Sequence, residues 1–134
     1  MKKIILFLFV MIGMSFSLHA EESWLKAYKM AIHMKDQNTG KWHDWSEWKP
    51  CDVDVKIDFD NDIVVVYSEK IQTYRITETI DQFDDKKGGT QIKFKIVDQD
   101  NDRGEMRFRK EKDGVLQIYV DFADVTWVYC LRGE

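Results

Sequence analysis

The clearest pattern in the chain is the stretch 52–67, which reads DVDVKIDFDNDIVVVY. Apolar residues alternate with polar ones through its first half, at Val53, Val55, Ile57 and Phe59. This period of two is typical of a strand with one face on a core and the other in water. After an Asp-Asn-Asp turn, the uninterrupted apolar run 63–66 predicts a partner strand that is buried on both faces or lies near the centre of the sheet. The stretch is therefore predicted to form a β-hairpin.

The same period recurs along the rest of the chain. It predicts strands over 24–34, 71–80, 91–97, 106–109, 116–122 and 125–131. In the first of these strands one face carries Trp24, Tyr28, Met30, Ile32 and Met34, and Tyr28 is a candidate for the barrel interior. Asn38-Thr39-Gly40 predicts a turn into a return strand over 41–48, and Pro50 predicts a break before the next hairpin because proline cannot donate to a ladder. The longest polar stretch, 81–90, predicts a mobile loop.

These elements predict an all-β fold of eight or nine strands joined by short turns. No stretch of helical period is long enough to supply a crossover, so the sheet should be an antiparallel up-and-down meander. Such a meander either exposes two edges or closes on itself, and closure removes the edges. We therefore expect a small closed or partly closed barrel, with a β-sandwich as the alternative.

A short motif supports the barrel interpretation. Gly40-Lys41-Trp42, together with Arg132 near the end of the last strand, resembles the Gly-x-Trp and terminal-Arg pairing of lipocalin-like barrels. The resemblance implies an up-and-down barrel.

The first 20 residues predict a signal peptide. Lys2 and Lys3 precede an apolar run from Ile4 to Met14, and Glu21 follows a segment ending in Ala20. The run is shorter than the roughly 20 apolar residues of a membrane span. We expect a secreted or periplasmic protein in which 21–134 form a single all-β domain.

The charge balance limits the partners that the chain can have. Its net charge is −4, and loss of Lys2 and Lys3 would leave the remainder more acidic. Nucleic acids and anionic membranes demand a basic face, so neither is an expected partner. We expect a monomer without a cofactor that binds an unknown protein or a small ligand.

Two cysteines remain after the predicted cleavage. An even count in an exported chain predicts one disulfide between Cys51 and Cys130. The alternative is two buried free thiols, because sequence alone does not show whether the two Cβ atoms face each other.

Trp42, Trp45 and Trp48 form the most unusual local cluster. On a regular strand, residues 42 and 48 point to one face and residue 45 to the other. The spacing therefore predicts core packing for Trp42 and Trp48, with Trp45 as the candidate binding aromatic.

Two segments share the pattern Asp-x-Asp-Asn-Asp. Their carboxylates are weak calcium candidates, at Asp58, Asp60 and Asp62 and at Asp98, Asp100 and Asp102. Neither segment has the EF-hand spacing, and Asp and Asn are also the residues that hairpin turns use for backbone hydrogen bonds. Solvated turns are therefore the favoured interpretation, and no metal is expected.

The chain carries no catalytic signature. It has three histidines, no Gly-x-Ser-x-Gly and no Gly-rich phosphate loop. We therefore predict a non-enzymatic binding domain whose candidate contacts are Trp45 and the loop residues Asp84, Asp85, Lys86 and Lys87. The alternative is a structural or inhibitory interaction protein with a filled barrel, and a small hydrolase comes third.

Overall fold

The computed structural model describes residues 22–133 as a closed barrel of eight antiparallel strands. The strands are β1 (Ser23–Met34), β2 (Lys49–Asp58), β3 (Ile63–Tyr67), β4 (Gln72–Asp84), β5 (Thr90–Asp98), β6 (Arg103–Lys110), β7 (Leu116–Asp121) and β8 (Val125–Gly133). Each strand pairs with its sequence neighbour, and β8 returns to β1. The predicted meander and barrel are confirmed, whereas the predicted signal peptide lies outside the described residues.

Closure is achieved through β1, which pairs with both β2 and β8. Lys29 of β1 faces Pro50 of β2 on one side and Cys130 of β8 on the other. No described residue belongs to a helix that is long and apolar enough to span a membrane.

The hairpin predicted from the alternating stretch forms between β2 and β3. Val55 lies opposite Val66 and Ile57 opposite Val64, so the odd-numbered residues of β2 face the core. Val65 is buried as well, which confirms that β3 is covered on both faces.

A bulge in β1 corrects the predicted face of its aromatic residues. The register shifts between Ala27 and Lys29, so Leu25 and Ala27 join the core before the bulge, whereas Met30 packs against it afterwards. The prediction that Trp24 and Tyr28 share the inner face with Met30 is wrong, because an extra residue reverses the two-residue alternation.

The inside of the barrel is filled by aromatic side chains. Phe108 lies 5.8 Å from Phe59 and 5.5 Å from Phe94 between ring centroids. Both Phe94 and Phe108 are almost completely buried. An eight-stranded barrel is just wide enough for its own side chains, and these rings occupy its centre.

The predicted return strand over 41–48 does not form. Trp42 makes one isolated bridge to Lys35, and regular pairing with β1 resumes only at Lys49. Between these two pairings the return segment has eight residues, 42–49, opposite six residues of β1, 30–35. Its two extra residues therefore bulge away from the ladder. Pro50 is inside β2 and does not mark a break between hairpins.

The predicted long loop over 81–90 is also shorter in the structure. β4 continues to Asp84, which pairs with Thr90 of β5, so only 85–89 connect the two strands. The polar side chains at positions 81, 82 and 84 did not prevent pairing, because a ladder is made by main-chain groups and the side chains at this end of β4 are exposed or half-buried.

The filled interior predicts a large cost for emptying it. Phe108→Ala should lower the free energy of unfolding by about 3–5 kcal/mol, measured by urea denaturation, because a buried ring is lost and a cavity is left. The control Ile71→Ala, at an exposed position, should change it by less than about 0.5 kcal/mol. A loss of under about 1 kcal/mol for Phe108→Ala would contradict a tightly packed interior.

Candidate functional site

A groove of about 930 Å³ lies on the outside of the barrel. We call it the outer groove. It is lined by side chains of four regions: the 85–89 loop, Gln91 of β5, the β6–β7 hairpin and Trp48. The cross-strand pair of Arg107 and Tyr119 lies farther from the β6–β7 turn than the pair of Arg109 and Gln117. The loop and the turn therefore lie at one end of the groove, and Trp48 and Tyr119 at the other.

The floor of the outer groove is a row of polar side chains that point away from the barrel interior yet are buried. The row has one residue on each of the neighbouring strands β5, β6, β7 and β8, and each residue lies directly opposite the one on the next strand: Gln91, Arg109, Gln117 and Cys130. Arg109, for example, is only 8% exposed although its neighbour Phe108 faces the core. The loop and neighbouring side chains therefore cover this part of the outer surface.

Asp85 ties the loop to this row. Its Oδ2 accepts hydrogen bonds from Arg109 Nε at 2.7 Å and Gln91 Nε2 at 2.9 Å. Its Oδ1 accepts the backbone N–H groups of Lys87 at 3.0 Å and Gly89 at 2.9 Å. The hydrogen bond from Arg109, followed by that from Gln91, holds the pKa of Asp85 far below its usual value. The carboxylate therefore remains charged and fixes the loop over Arg109.

Arg109 is held from several sides. Its Nη1 donates to Glu111 at 2.9 Å and to Gln117 at 3.4 Å, and the hydrogen bond to Asp85 raises its pKa above the usual value. The loop can approach this closely because residue 89 is glycine. A Cβ there would lie 2.9 Å from both Arg109 Nη2 and Lys110 O.

The 42–48 segment places three tryptophans on the outer surface. Trp42, Trp45 and Trp48 are 42%, 42% and 45% exposed. The prediction of core packing for Trp42 and Trp48 is therefore wrong. Residues 43–48 have no regular strand conformation, so two-residue alternation does not decide which way they point.

The three tryptophans belong to one surface, which we call the aromatic patch: Trp42, His33, Trp45, Trp48 and Tyr119. His33 lies 4.9 Å from Trp42 and 4.7 Å from Trp45 between ring centroids, and Trp45 meets Tyr119 edge-on at 6.2 Å. Ser46 anchors the segment, because its N–H donates to Ile32 O and its Oγ accepts from Ile32 N, each at 2.8 Å. Trp48 and Tyr119 join the patch to the outer groove.

The structure brings the candidate contacts predicted from sequence to one side of the molecule. Lys86 and Lys87 line the outer groove, and Trp45 lies in the adjoining patch. Asp85 accepts hydrogen bonds from Arg109 and Gln91 in the floor of the groove. Asp84 belongs to β4 and accepts a hydrogen bond from Thr90 at 3.1 Å.

The predicted disulfide is not present, and Cys51 and Cys130 are free. They lie on β2 and β8, which flank β1, so two strand spacings, about 9–10 Å, separate them, whereas bridged Cα atoms lie within about 7 Å. They also occupy opposite faces: Cys51 packs against the core, and Cys130 accepts from Gln117 Nε2 on the outside at 3.5 Å. Burial raises the pKa of both thiols.

The two acidic turns have different geometries. Carboxyl oxygens of Asp98, Asp100 and Asp102 approach within 4.8 Å of one another. Asp98 Oδ1 accepts the backbone N–H groups of Asp100 at 2.8 Å and Asp102 at 2.9 Å, as turn-forming aspartates do.

The other acidic turn, which contains Asp58, Asp60 and Asp62, is organised by Asn61. Its backbone N–H and its side-chain amide both donate to the carboxylate of Asp58. Asp62 adopts a positive φ of 56°, which a tight turn requires.

Trp42 and Arg132 do not pair in this barrel. Trp42 bridges Lys35, whereas Arg132 pairs with Lys26 and places its guanidinium over the ring of Tyr28, 5.6 Å from the ring centroid. The two residues therefore sit about 30 Å apart along β1. The lipocalin-like motif predicted the barrel but not the position of its side chains.

Sequence reasoning missed Arg109, Trp48, Tyr119 and Lys112 as groove residues. The outward positions of Arg109 and Tyr119 could be predicted from the sequence, because each alternates with core residues along its strand. Nothing local marks Arg109 as buried, because its cover comes from a loop 24 positions away in the sequence.

A second, smaller cavity of about 350 Å³ opens at the end of the barrel that carries the turns 68–71 and 99–102. We call it the mouth cavity. Its apolar lining includes Met30, Ile32 and Trp127. On its polar side, Gln72 Nε2 donates to the Tyr129 hydroxyl at 3.4 Å.

The fold and the site define a small closed antiparallel barrel with a packed interior and a polar-aromatic groove on its outer face. No protein-family model, curated protein or solved structure matches this chain. Its function has to be argued from the groove and the patch themselves.

The Asp85 network predicts a pH-dependent stability difference. Asp85→Asn should lower the free energy of unfolding at neutral pH, because the folded carboxylate is stabilised by Arg109. The unfolded carboxyl titrates near pH 4, so the contribution is complete above about pH 5 and declines as the pH falls through the lower folded pKa. Chemical denaturation of both proteins between acidic and neutral pH measures this difference.

The matched control is Asp81→Asn, which removes an exposed carboxylate for which no ion pair exists among the described residues. Its effect should be small at every pH. A wild-type advantage over Asp85→Asn that persists unchanged at strongly acidic pH would contradict the role of the Asp85 carboxylate.

Proposed function

We propose that this protein is an exported, non-enzymatic binding domain that recognises a partner protein through the outer groove and the aromatic patch. The observation that carries the proposal is that the groove and the patch form one continuous surface. The groove has a fixed polar floor, with exposed lysines at one end and Trp48 and Tyr119 at the other end, where the patch begins. The packed interior favours a function on the outside of the barrel.

The composition of this surface is that of a protein interface. Trp, Tyr and Arg are enriched among the residues that contribute most to protein–protein binding. Here three half-exposed tryptophans adjoin Tyr119, whose ring lies 4.2 Å from the Arg107 guanidinium carbon. Contiguous exposed aromatic area on a soluble domain usually marks an interaction site.

The groove is held in shape before any partner arrives. Four hydrogen bonds to Asp85 fix the loop, and two hydrogen bonds to Ile32 fix the 42–48 segment. A site that is already ordered loses less conformational entropy on binding, which favours affinity.

The chemical groups of the groove favour binding over catalysis. The ion pair with Arg109 keeps the pKa of Asp85 too low for a general acid near neutral pH. Burial raises the pKa of the Cys130 thiol in the floor of the groove, which disfavours the reactive thiolate.

The mouth cavity supports a second candidate function, which is the binding of a small ligand. Pockets of this size with mainly apolar walls and a few polar groups occur at the mouths of barrels. Lys70 and Asp98 both stand at its rim, so the cavity would suit a small molecule without net charge.

One experiment distinguishes the two candidates. Native mass spectrometry of the protein purified from the exported fraction of its own host should show a bound protein, which Trp48→Ala should release because it removes the ring joining patch and groove. The control Trp24→Ala removes an exposed tryptophan stacked on Tyr67 elsewhere on the barrel and should retain the partner.

Two results would contradict the proposal. A bound protein retained equally by Trp48→Ala and wild type would place the interface elsewhere. A bound small molecule, retained by Trp48→Ala without any protein, would favour the mouth cavity.

A further inference from the structure

The proposed function leaves the chemistry of the partner open, and the charges of the outer groove address it. We propose that the partner segment seated in the groove is an extended, acidic stretch of polypeptide with an aromatic side chain next to Trp48. This inference rests on the proposed function and makes it specific.

The groove is locally basic in an acidic protein. Its lining contains five cationic residues, Lys86, Lys87, Arg107, Arg109 and Lys112, and three anionic ones, Asp85, Glu111 and Asp113. The whole chain has a net charge of −4. A basic groove on an acidic surface favours an acidic partner segment and repels a basic one.

The two arginines already have partners within the barrel. Arg109 is paired with Asp85 at 2.7 Å and with Glu111 at 2.9 Å, and Arg107 is paired with Asp121 at 2.9 Å. Among the described residues, the three lysines make no ion pair. Lys86, Lys87 and Lys112 are therefore the cations available to a partner.

The three lysines lie together at the loop end of the groove. Gly88 brings the loop against the side chain of Lys112, since a Cβ at Gly88 would lie 3.3 Å from Lys112 Cδ. Lysines on such a rim act as point charges without demanding the planar geometry of an arginine fork. This arrangement suits flexible carboxylates of Asp or Glu.

The opposite end of the groove selects an aromatic residue. Trp48 is 45% exposed and carries Lys29 Nζ 4.9 Å from its ring centroid, while Tyr119 lies under Arg107. Aromatic pairs add to binding beyond the area that they bury.

The length of the groove sets the spacing of the two features. From Tyr119 back to the end of the β6–β7 turn at Val115 the strand rises about 13 Å. An extended segment covers this distance in about four residues. The partner should therefore carry its acidic residues about four positions from the aromatic one.

A long, densely charged polyanion fits this surface less well. Glu111 and Asp113 flank the lysines, and the rest of the chain carries an excess of negative charge. Nucleic acids and sulfated polysaccharides bind through extended arrays of cations, which three lysines do not provide.

The probe for this inference is a random copolymer of glutamate and tyrosine, compared with polyglutamate and heparin by isothermal titration calorimetry. Wild-type protein should bind the copolymer more tightly than polyglutamate or heparin, and binding should weaken in about 0.5 M salt because exposed charges are screened. Lys86→Ala/Lys87→Ala should weaken copolymer binding about fivefold or more.

Two further variants make the test specific. Arg75→Ala/Lys95→Ala removes the same amount of charge at two exposed positions outside the groove and should leave copolymer binding within about twofold of wild type. Trp48→Ala should abolish the preference for the copolymer over polyglutamate, because that preference depends on the tyrosines.

The inference is overturned if the copolymer does not bind, if Lys86→Ala/Lys87→Ala binds it like wild type, or if heparin binds as tightly. The proposed function is tested separately by the host partner. If Trp48→Ala releases that partner but the copolymer does not bind, the groove remains an interface and the acidic chemistry of its partner is wrong.

Discussion

The structure of the candidate site depends on one ion pair on the outside of the barrel, between Asp85 and Arg109. Arg109 lies near the end of β6 and faces away from the core, where a charged side chain would ordinarily be hydrated. The loop from β4 to β5 covers it instead, and Asp85 compensates the buried charge. Removing either partner would leave the other buried without compensation, which is costly. The glycine at position 89 allows this contact, because a side chain there would meet Arg109.

This outer network matters because the interior offers little space for a ligand. Phe59, Phe94 and Phe108 meet at the centre of the barrel. The closed sheet thus acts as a rigid support, and the variable chemistry lies in what covers its outer surface: the short loop after β4 and the irregular segment before β2. Binding residues carried by loops on a rigid scaffold are a common arrangement.

The sequence predicted the barrel because alternation is a local signal that survives without knowledge of the neighbours. The β2–β3 hairpin is the clearest example. The prediction failed where irregular backbone or distant contacts decide the outcome. Trp48 was expected in the core because a regular strand was assumed, and the cysteines were expected to bond because their order in the closed sheet, with β1 between them, is not visible in their spacing. The cover over Arg109 likewise arises only from the fold.

The most direct test of this account is amide hydrogen exchange of wild type and Arg109→Met, with Phe94 as an internal reference in the core. The account predicts that the amides of Lys87 and Gly89, which donate to Asp85, exchange at least about tenfold faster relative to Phe94 in the variant, because the carboxylate loses its anchor. Unchanged relative protection of these two amides would show that the loop holds its position without the ion pair, and would contradict the account.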